Sequence, residues 1–306
     1  MIERCGLIGC GYWGQKIARV LHELGVLEAV CDMNEGKAIE IIDLYGKGKR
    51  GRYYLRARDI FQEVDAVVIA TPPETHFSIA LAALIAGKHV FVEKPITTSY
   101  ETAKELEALA KEKGLRLMVG HIYLHCPGLL AIPKPIGEAE LWVKLLNIAG
   151  APSETTRDIL WAGLPHVVSI ALHFFGDYPD DMRIMKLEKH RVRLDLGWDD
   201  HSRAYLDVGD YTERRMRDVE LRVGNTRYEF NADDPCVFWE LGGGLSKRYL
   251  HGLPTYTPTP EGSPDPLTLE LKAFLEKDGV DTMGSKIVKL IEEIQEDAIT
   301  ETNKRS

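Results

Sequence analysis

Three glycines near the start of the chain have the spacing of a phosphate-binding turn. The sequence Gly9-x-Gly11-x-x-Gly14 follows a short apolar run, residues 5–8, and leads into a helical pattern. Gly9 allows a tight turn, Gly11 lets the backbone approach a pyrophosphate, and Gly14 lets the helix pack closely against the strand. The free N–H groups at the start of the helix would then face the phosphates. An ordinary strand-to-helix turn is the alternative, because glycine-rich turns are common.

An acidic residue lies where a dinucleotide site would need one. Asp32 comes 18 residues after Gly14 and ends a second apolar run, residues 27–31. A carboxylate there accepts hydrogen bonds from ribose hydroxyls and repels the 2′-phosphate of NADP. Because Met33 and Asn34 follow, and no arginine, the sequence predicts NAD(H) as the cofactor. The alternative is that Asp32 caps the next helix, a role for which Asn34 competes.

Two further apolar runs each end in a short segment that contains polar residues and proline. The run 64–70 ends at Thr71-Pro72-Pro73, and the run 88–92 is followed by Glu93-Lys94-Pro95. Open α/β sheets bind ligands at the carboxyl ends of their strands. We therefore expect both loops to lie at the sheet edge that holds the glycine turn.

The order of strands and helices predicts two domains. Strand and helix patterns alternate through residues 1–119, which indicates an α/β, doubly wound parallel sheet of the Rossmann type, a dinucleotide-binding domain. From residue 182 to 241, strand patterns follow one another without helices, which predicts a largely antiparallel open sheet. We assign residues 120–306 to this second, α+β domain for substrate binding and oligomerisation. One helix is expected over residues 158–175, although Pro165 lies within it.

The second sheet has no helices to cover its other face, and this predicts pairing. An uncovered apolar face is a liability in a monomer, so we expect a homodimer or homotetramer formed through this sheet.

Composition narrows the class of protein. The 306 residues are 44% hydrophobic and 28% charged, with a formal net charge of -9. This acidic balance argues against nucleic acid as a partner and offers no cationic surface to a membrane. No apolar run reaches the ~18 residues of a membrane span. The five cysteines are scattered and form no C-x-x-C motif, which predicts reduced thiols in a cytoplasmic protein.

Several longer segments share a pattern with one group of enzymes. They are GCGYWG (9–14), ATPPETHFSIALAALIAGKHVFVEKP (70–95) and MVGHIYLHCP (118–127), with looser matches at PHVVSI (165–170) and PLTLELKAFL (266–275). These segments resemble the Gfo/Idh/MocA oxidoreductase family, and look most like its members that oxidise nucleotide sugars at the 3-hydroxyl. The resemblance implies a Rossmann domain, a second domain with an open sheet, and NAD(H)-dependent oxidation of a sugar or nucleotide-sugar hydroxyl. It implies no metal.

The resemblance also implies roles for single residues. Lys94 would lie beside the nicotinamide and the reacting hydroxyl, where an ammonium stabilises a developing alkoxide. His166 would act as general base near neutral pH. The alternatives are an ion pair with Glu93 for Lys94 and a surface histidine without a catalytic role for His166. Residues assigned to the cofactor are Gly9, Cys10, Gly11, Tyr12, Trp13, Gly14, Asp32, Met33, Thr71, Pro72, Pro73, His76, Glu93 and Lys94. Residues assigned to the substrate are His121, Tyr123 and His166.

The chain departs from the family pattern around His166. The family helix reads Asp-x-Gly-x-His-x-x-Asp, and alignment on His166 puts Ala162, Leu164 and Ser169 at the other three positions. Lys16 stands where the subgroup usually has asparagine. The loss of the acid at 162 leaves open a second hypothesis, in which the protein binds NAD without turnover and serves as a sensor or binds a partner.

Two other possibilities concern the same region. Asp158 could replace the lost acid, although it lies two turns before His166 and is better suited to the start of the helix. His121 and His125 could bind a metal, but no acidic residue has ligand-like spacing, so no metal is expected.

Overall fold

The computed structural model describes residues 2–46, 52–147, 156–210, 215–250, 253–254 and 265–305. The chain forms two compact units, which differ from a simple division into halves. One contains Met1–Gly120 and Leu267–Lys289, and the other contains His121–Pro266 and Leu290–Ser306.

The first unit contains a six-stranded sheet in which every neighbouring pair of strands runs parallel. Its strands are β1 Cys5–Ile8, β2 Leu27–Cys31, β3 Arg52–Tyr54, β4 Ala66–Ile69, β5 His89–Glu93 and β6 Leu117–Gly120. Its helices are α1 Tyr12–Glu23, α2 Glu35–Tyr45, α3 Ala57–Ile60, α4 Pro73–Ile85 and α5 Tyr100–Lys113. The strand order β3-β2-β1-β4-β5-β6 confirms the predicted doubly wound Rossmann sheet. The order reverses between β1 and β4, where such folds bind dinucleotides.

The segment 267–289 packs in the first unit, whereas residues 120–306 were expected to form one second domain. This segment holds nearly all of α9, Pro266–Glu276. The ring of Phe274 meets Phe91 of β5 edge-on, with ring centroids 5.7 Å apart. Arg116 donates hydrogen bonds to the carbonyls of Phe274 and Leu275 at 3.0 and 2.5 Å, and so caps the end of the helix. These contacts join residues far apart in sequence, so no local pattern predicts them.

The second unit contains a nine-stranded sheet in the order β15-β14-β13-β12-β11-β7-β10-β9-β8. Its strands are β7 Glu140–Leu146, β8 Asp181–Glu188, β9 Arg191–Gly197, β10 Arg203–Gly209, β11 Met216–Val223, β12 Thr226–Asn231, β13 Val237–Gly242, β14 Leu245–Leu250 and β15 Leu253–Pro254. All neighbouring pairs are antiparallel except β7 and β10, which confirms the largely antiparallel sheet. The other elements are a 3-10 turn at Ile122–His125 and the helices α6 Pro127–Leu130, α7 Thr156–Ala162 and α8 Leu164–Phe175. Helix α10, Met283–Arg305, belongs to the second unit only from Leu290 onward.

The single helix predicted over residues 158–175 is wrong, because α7 and α8 are separated at Gly163. Pro165 lies in the first turn of α8 and explains the break. Proline has no N–H, so the carbonyl four residues before it loses its helical hydrogen bond. The stripe that would have aligned Asp158, Ala162 and His166 on one continuous helix therefore does not form.

The two faces of the second sheet differ in chemistry. One face is apolar: Leu141, Val143 and Leu206 are buried, and helix α8 packs against β7 and β10. The other face carries ion pairs, among them Arg191–Asp207 at 2.6 Å and Arg203–Asp195 at 2.7 Å. The second face of the sheet was expected to be apolar, and that expectation is wrong because charged residues alternate with apolar ones along the strands. A homodimer or homotetramer formed through this sheet stays a prediction.

Among the residues with described structure, none of the helices combines the length and the apolar character that a membrane crossing requires.

Candidate functional site

The glycine turn joins the end of β1 to α1 and packs against the end of β4. Gly9 has a φ of 100°, and a Cβ atom there would lie 2.5 Å from the carbonyl oxygen of Ala70. A Cβ atom on Gly14 would lie 2.0 Å from the carbonyl oxygen of Gly9. At Gly11, by contrast, no atom of the described residues lies within 4 Å of the added Cβ. The fold therefore requires glycine at two positions, whereas the space at Gly11 is open for a ligand to approach.

Asp32 is fixed at the end of β2 by two backbone N–H groups. Its Oδ2 accepts from Cys10 at 2.8 Å, and its Oδ1 accepts from Asn34 at 2.8 Å. The side chain of Asn34 caps α2 by accepting from the N–H of Lys37 at 3.2 Å. Capping of α2 is therefore done by Asn34, and the partly exposed carboxylate of Asp32 is held against the glycine turn.

Glu93 and Lys94 follow one another where β5 ends. The indole N–H of Trp13 donates to Glu93 Oε1 at 2.5 Å, so a residue of the glycine turn holds this carboxylate. A Cβ atom on Gly120 would lie 3.0 Å from both carboxylate oxygens, so the carboxylate packs closely against this glycine. Burial raises the pKa of Glu93, and the hydrogen bond from Trp13 partly opposes that. Burial lowers the pKa of Lys94, and the charge of Glu93 partly opposes it.

His76 connects the loops that follow β4 and β5. Its ring is buried, with Nδ1 2.7 Å from the carbonyl oxygen of Pro95 and Nε2 2.8 Å from that of Thr71. Burial lowers the pKa of His76, which favours the neutral ring. A neutral imidazole donates from only one nitrogen, so only one of these two contacts is a hydrogen bond. Since both nitrogens face protein carbonyls, His76 holds the two loops together. Its contact with the cofactor stays a prediction.

The remaining residues assigned to the cofactor lie around the same sheet edge. Pro72 is the N-cap residue of α4 and Pro73 is its first residue, with two residues between the end of β4 and Pro72. Met33 and Tyr12 are 91% and 78% exposed, so both are accessible to a ligand. The ammonium of Lys16 lies 4.5 Å from the centre of the Tyr12 ring and 5.0 Å from that of Trp13.

The second unit brings two predicted substrate residues together. The ring of Tyr123 meets the ring of His166 edge-on, with ring centroids 5.1 Å apart. The hydroxyl of Tyr123 accepts a hydrogen bond from the guanidinium of Arg217, a residue that the sequence analysis did not single out. His121 is buried just before the 3-10 turn that carries Tyr123. Because 94 residues separate Tyr123 from Arg217, no spacing in the sequence could have signalled their contact.

The positions where the family has acids around His166 hold an alanine and a serine. Ala162 is exposed at the end of α7, and the hydroxyl of Ser169 donates to the carbonyl of His166 at 2.8 Å. The side chain of Asp158 lies outside the described residues. Within the described ranges, no group of three or more histidine, cysteine, aspartate or glutamate residues is arranged to hold a metal ion.

Comparison with known proteins agrees with the Rossmann fold of the first unit. Residues 3–121 match the model of the Gfo/Idh/MocA family, an oxidoreductase family with an NAD-binding Rossmann fold. Over 194 residues the chain is 31% identical to UDP-N-acetylglucosamine 3-dehydrogenase of Acidithiobacillus ferrooxidans, which covers 63% of this chain and 61% of that enzyme. The sequence alignment thus spans less than two thirds of the relative's length.

Solved structures share the fold over nearly the whole chain. The UDP-N-acetylglucosamine 3-dehydrogenase of A. ferrooxidans superposes with a TM-score of 0.81 and 22% identity, over 96% of this chain and 97% of that one. A levoglucosan dehydrogenase, solved in complex with NADH and levoglucosan, superposes with a TM-score of 0.80 and 17% identity, over 97% of each chain. At these identities the likeness concerns the fold alone.

Proposed function

Because residues 3–121 carry the NAD-binding Rossmann fold of the Gfo/Idh/MocA oxidoreductase family, we propose that this protein is an NAD(H)-dependent oxidoreductase. Its substrate is a hydroxyl group of a sugar or nucleotide sugar. The observation that carries the proposal is the hydrogen bond from Trp13 to Glu93. It ties the glycine turn to the strand end that presents Lys94, so the predicted cofactor residues and the predicted catalytic lysine belong to one unit.

The residues of the first unit fit a dinucleotide. The open space at Gly11 suits a pyrophosphate, and the fixed carboxylate of Asp32 suits ribose hydroxyls. When bound, NAD⁺ accepts a hydride from the carbon that is oxidised. We assign to Lys94 the orientation of the substrate hydroxyl and the stabilisation of its developing negative charge. His166 takes the proton of that hydroxyl. Both roles follow from the family resemblance.

Titration should show that NADH binds at least about tenfold more tightly than NADPH, a difference of ~1.4 kcal/mol. The reason is the carboxylate of Asp32, which would face the extra phosphate. Asp32→Ala should narrow the difference, measured by nicotinamide fluorescence for both cofactors. Asn34→Ala is the matched control, because it removes the neighbouring cap of α2 without changing charge. Equal affinities for the two cofactors in the unaltered protein would contradict the preference.

The second candidate function is NAD binding without turnover, as a sensor or partner-binding protein. One observation favours it: exposed Ala162 stands where the family has an acid to orient the base. The two functions predict different results when an acid is restored at position 162.

If the protein is an impaired dehydrogenase, Ala162→Asp should raise the rate of NAD⁺ reduction on a suitable sugar. A general base contributes ~10²–10⁴-fold, so an acid restored at the family's position should speed a slow enzyme. The measurement is kcat across a panel that includes UDP-N-acetylglucosamine, levoglucosan and inositol. Ala162→Asn, which adds similar volume without charge, is the control. If neither variant nor the unaltered protein turns over a sugar while NADH still binds, the dehydrogenase function is rejected and NAD binding without turnover stands.

A further inference from the structure

Arg217 carries a charge on the apolar face of the second sheet. In the pairing of β11 with β7, Arg217 lies opposite Leu145 and Val219 lies opposite Val143. Both partners on β7 are buried, so Arg217 projects from the face that α8 covers. Its side chain is only 14% exposed. Burying a guanidinium costs free energy unless its charge and its N–H groups are satisfied.

The described partners satisfy Arg217 incompletely. One Nη donates to the hydroxyl of Tyr123, but burial raises the pKa of that hydroxyl, so it stays neutral. The nearest described carboxylate is that of Asp233, 3.7 Å from Nε, and it is half exposed. Asp233 is also shared with Arg215 at 3.1 Å. Nε of Arg217 is buried and makes no hydrogen bond with the described residues.

The charge and the position of Arg217 together indicate a binding site for an anion. Two guanidinium groups share one carboxylate here, so this described cluster keeps one positive charge. Guanidinium groups bind phosphate and carboxylate oxygens through paired N–H groups. The same Tyr123 that contacts Arg217 also meets the ring of His166. The positive charge is therefore one side chain away from the residue proposed as general base.

We propose that Arg217, held by Tyr123, determines specificity by binding an anionic group of the substrate, either a phosphate or a carboxylate. This inference rests on the proposed function and narrows it, because it selects anionic sugar derivatives over neutral sugars. The two sources of the anion are a nucleotide sugar, which carries phosphates, and a uronic acid, which carries a carboxylate. The hydroxyl that loses its proton to His166 belongs to the same molecule.

Binding tests the proposal whether or not the protein turns over a substrate. Calorimetric titration should detect binding of UDP or of glucuronate to the protein loaded with NADH. Arg217→Met should weaken that binding about 10- to 150-fold, the range for a charge-assisted hydrogen bond. Arg217→Lys should restore part of it, because the charge returns without the paired N–H groups. UDP binding alone would identify the phosphate as the anion, and glucuronate binding alone would identify the carboxylate.

Arg222→Met is the matched control. Arg222 lies on the same strand but on the opposite, charged face, where its guanidinium stacks on Trp142. Its loss should leave anion binding unchanged. Both methionine variants should bind NADH normally, which shows that they are folded. The inference is overturned if neither anion binds the unaltered protein, or if the two methionine variants bind alike.

Turnover separates this inference from the proposed function. With a substrate panel, Arg217→Met should lower kcat/KM for anionic substrates and leave neutral sugars within about twofold. Equal losses on both kinds of substrate would refute specificity while the oxidoreductase stands. Absence of any turnover in the unaltered protein would refute the proposed function, and the calorimetric comparison would still decide whether Arg217 binds anions.

Discussion

Lys94→Ala should lower kcat for sugar oxidation by about a thousandfold or more, while NADH still binds. Removing one group that stabilises a developing oxyanion costs ~10²–10³-fold, and Lys94 is also expected to orient the hydroxyl. Burial lowers the pKa of this ammonium, and the charge of Glu93 partly opposes that effect. The measurement is steady-state reduction of NAD⁺ on the best substrate of the panel, with NADH affinity determined on the same sample.

Lys88→Ala provides the matched control for Lys94. Lys88 precedes β5 at its amino end, whereas Lys94 follows the strand at its carboxyl end. The two variants lose the same charge from opposite ends of one strand. Activity in Lys94→Ala above about a tenth of the original would remove Lys94 from the mechanism.

Two glycine substitutions should separate folding from cofactor binding. Gly14→Ala should destabilise the protein by about 3 kcal/mol, because its Cβ would lie 2.0 Å from the carbonyl oxygen of Gly9 and the backbone must move. Gly11→Ala should destabilise the protein much less, since its φ of -72° suits alanine and no described atom lies within 4 Å, so the cost is limited to a poorer N-cap of α1.

The same Gly11→Ala variant should bind NADH at least about tenfold more weakly, because the methyl group would stand where the pyrophosphate approaches. The measurement is the rise in unfolding temperature on addition of NADH, which should shrink in this variant. A full rise in Gly11→Ala would mean that the phosphates lie elsewhere. That result would contradict the assignment of this turn to the dinucleotide.

Local patterns predicted the first sheet because its signals lie within a few residues of one another. The glycine turn, the buried strands and the position of Asp32 are all properties of continuous segments. Contacts between residues far apart in the sequence could not be predicted from local patterns. Trp13 and Glu93 are 80 residues apart, and nothing near either residue indicates the bond between them.

The errors have identifiable physical causes. The long helix was predicted from the spacing of its apolar residues, and that spacing continues past Gly163. The missing N–H of Pro165 interrupts the backbone hydrogen bonds of the helix, and the spacing of apolar residues does not show this. The charged second face was readable in advance: Arg191, Arg193 and Asp195 alternate along β9 with buried residues. The absence of covering helices does not make a sheet face apolar, because the residues that alternate along the strands set its polarity.

The packing of α9 in the first unit has a consequence for synthesis on the ribosome. Domains near the amino terminus generally fold first as the chain emerges. Here, a nascent chain that has released only its first 120 residues holds Phe91 without Phe274, and Arg116 without the carbonyls that it caps. The first unit therefore reaches its final packing only after residues 267–289 have been translated, so the segment that encodes residues 1–120 specifies an incomplete folding unit.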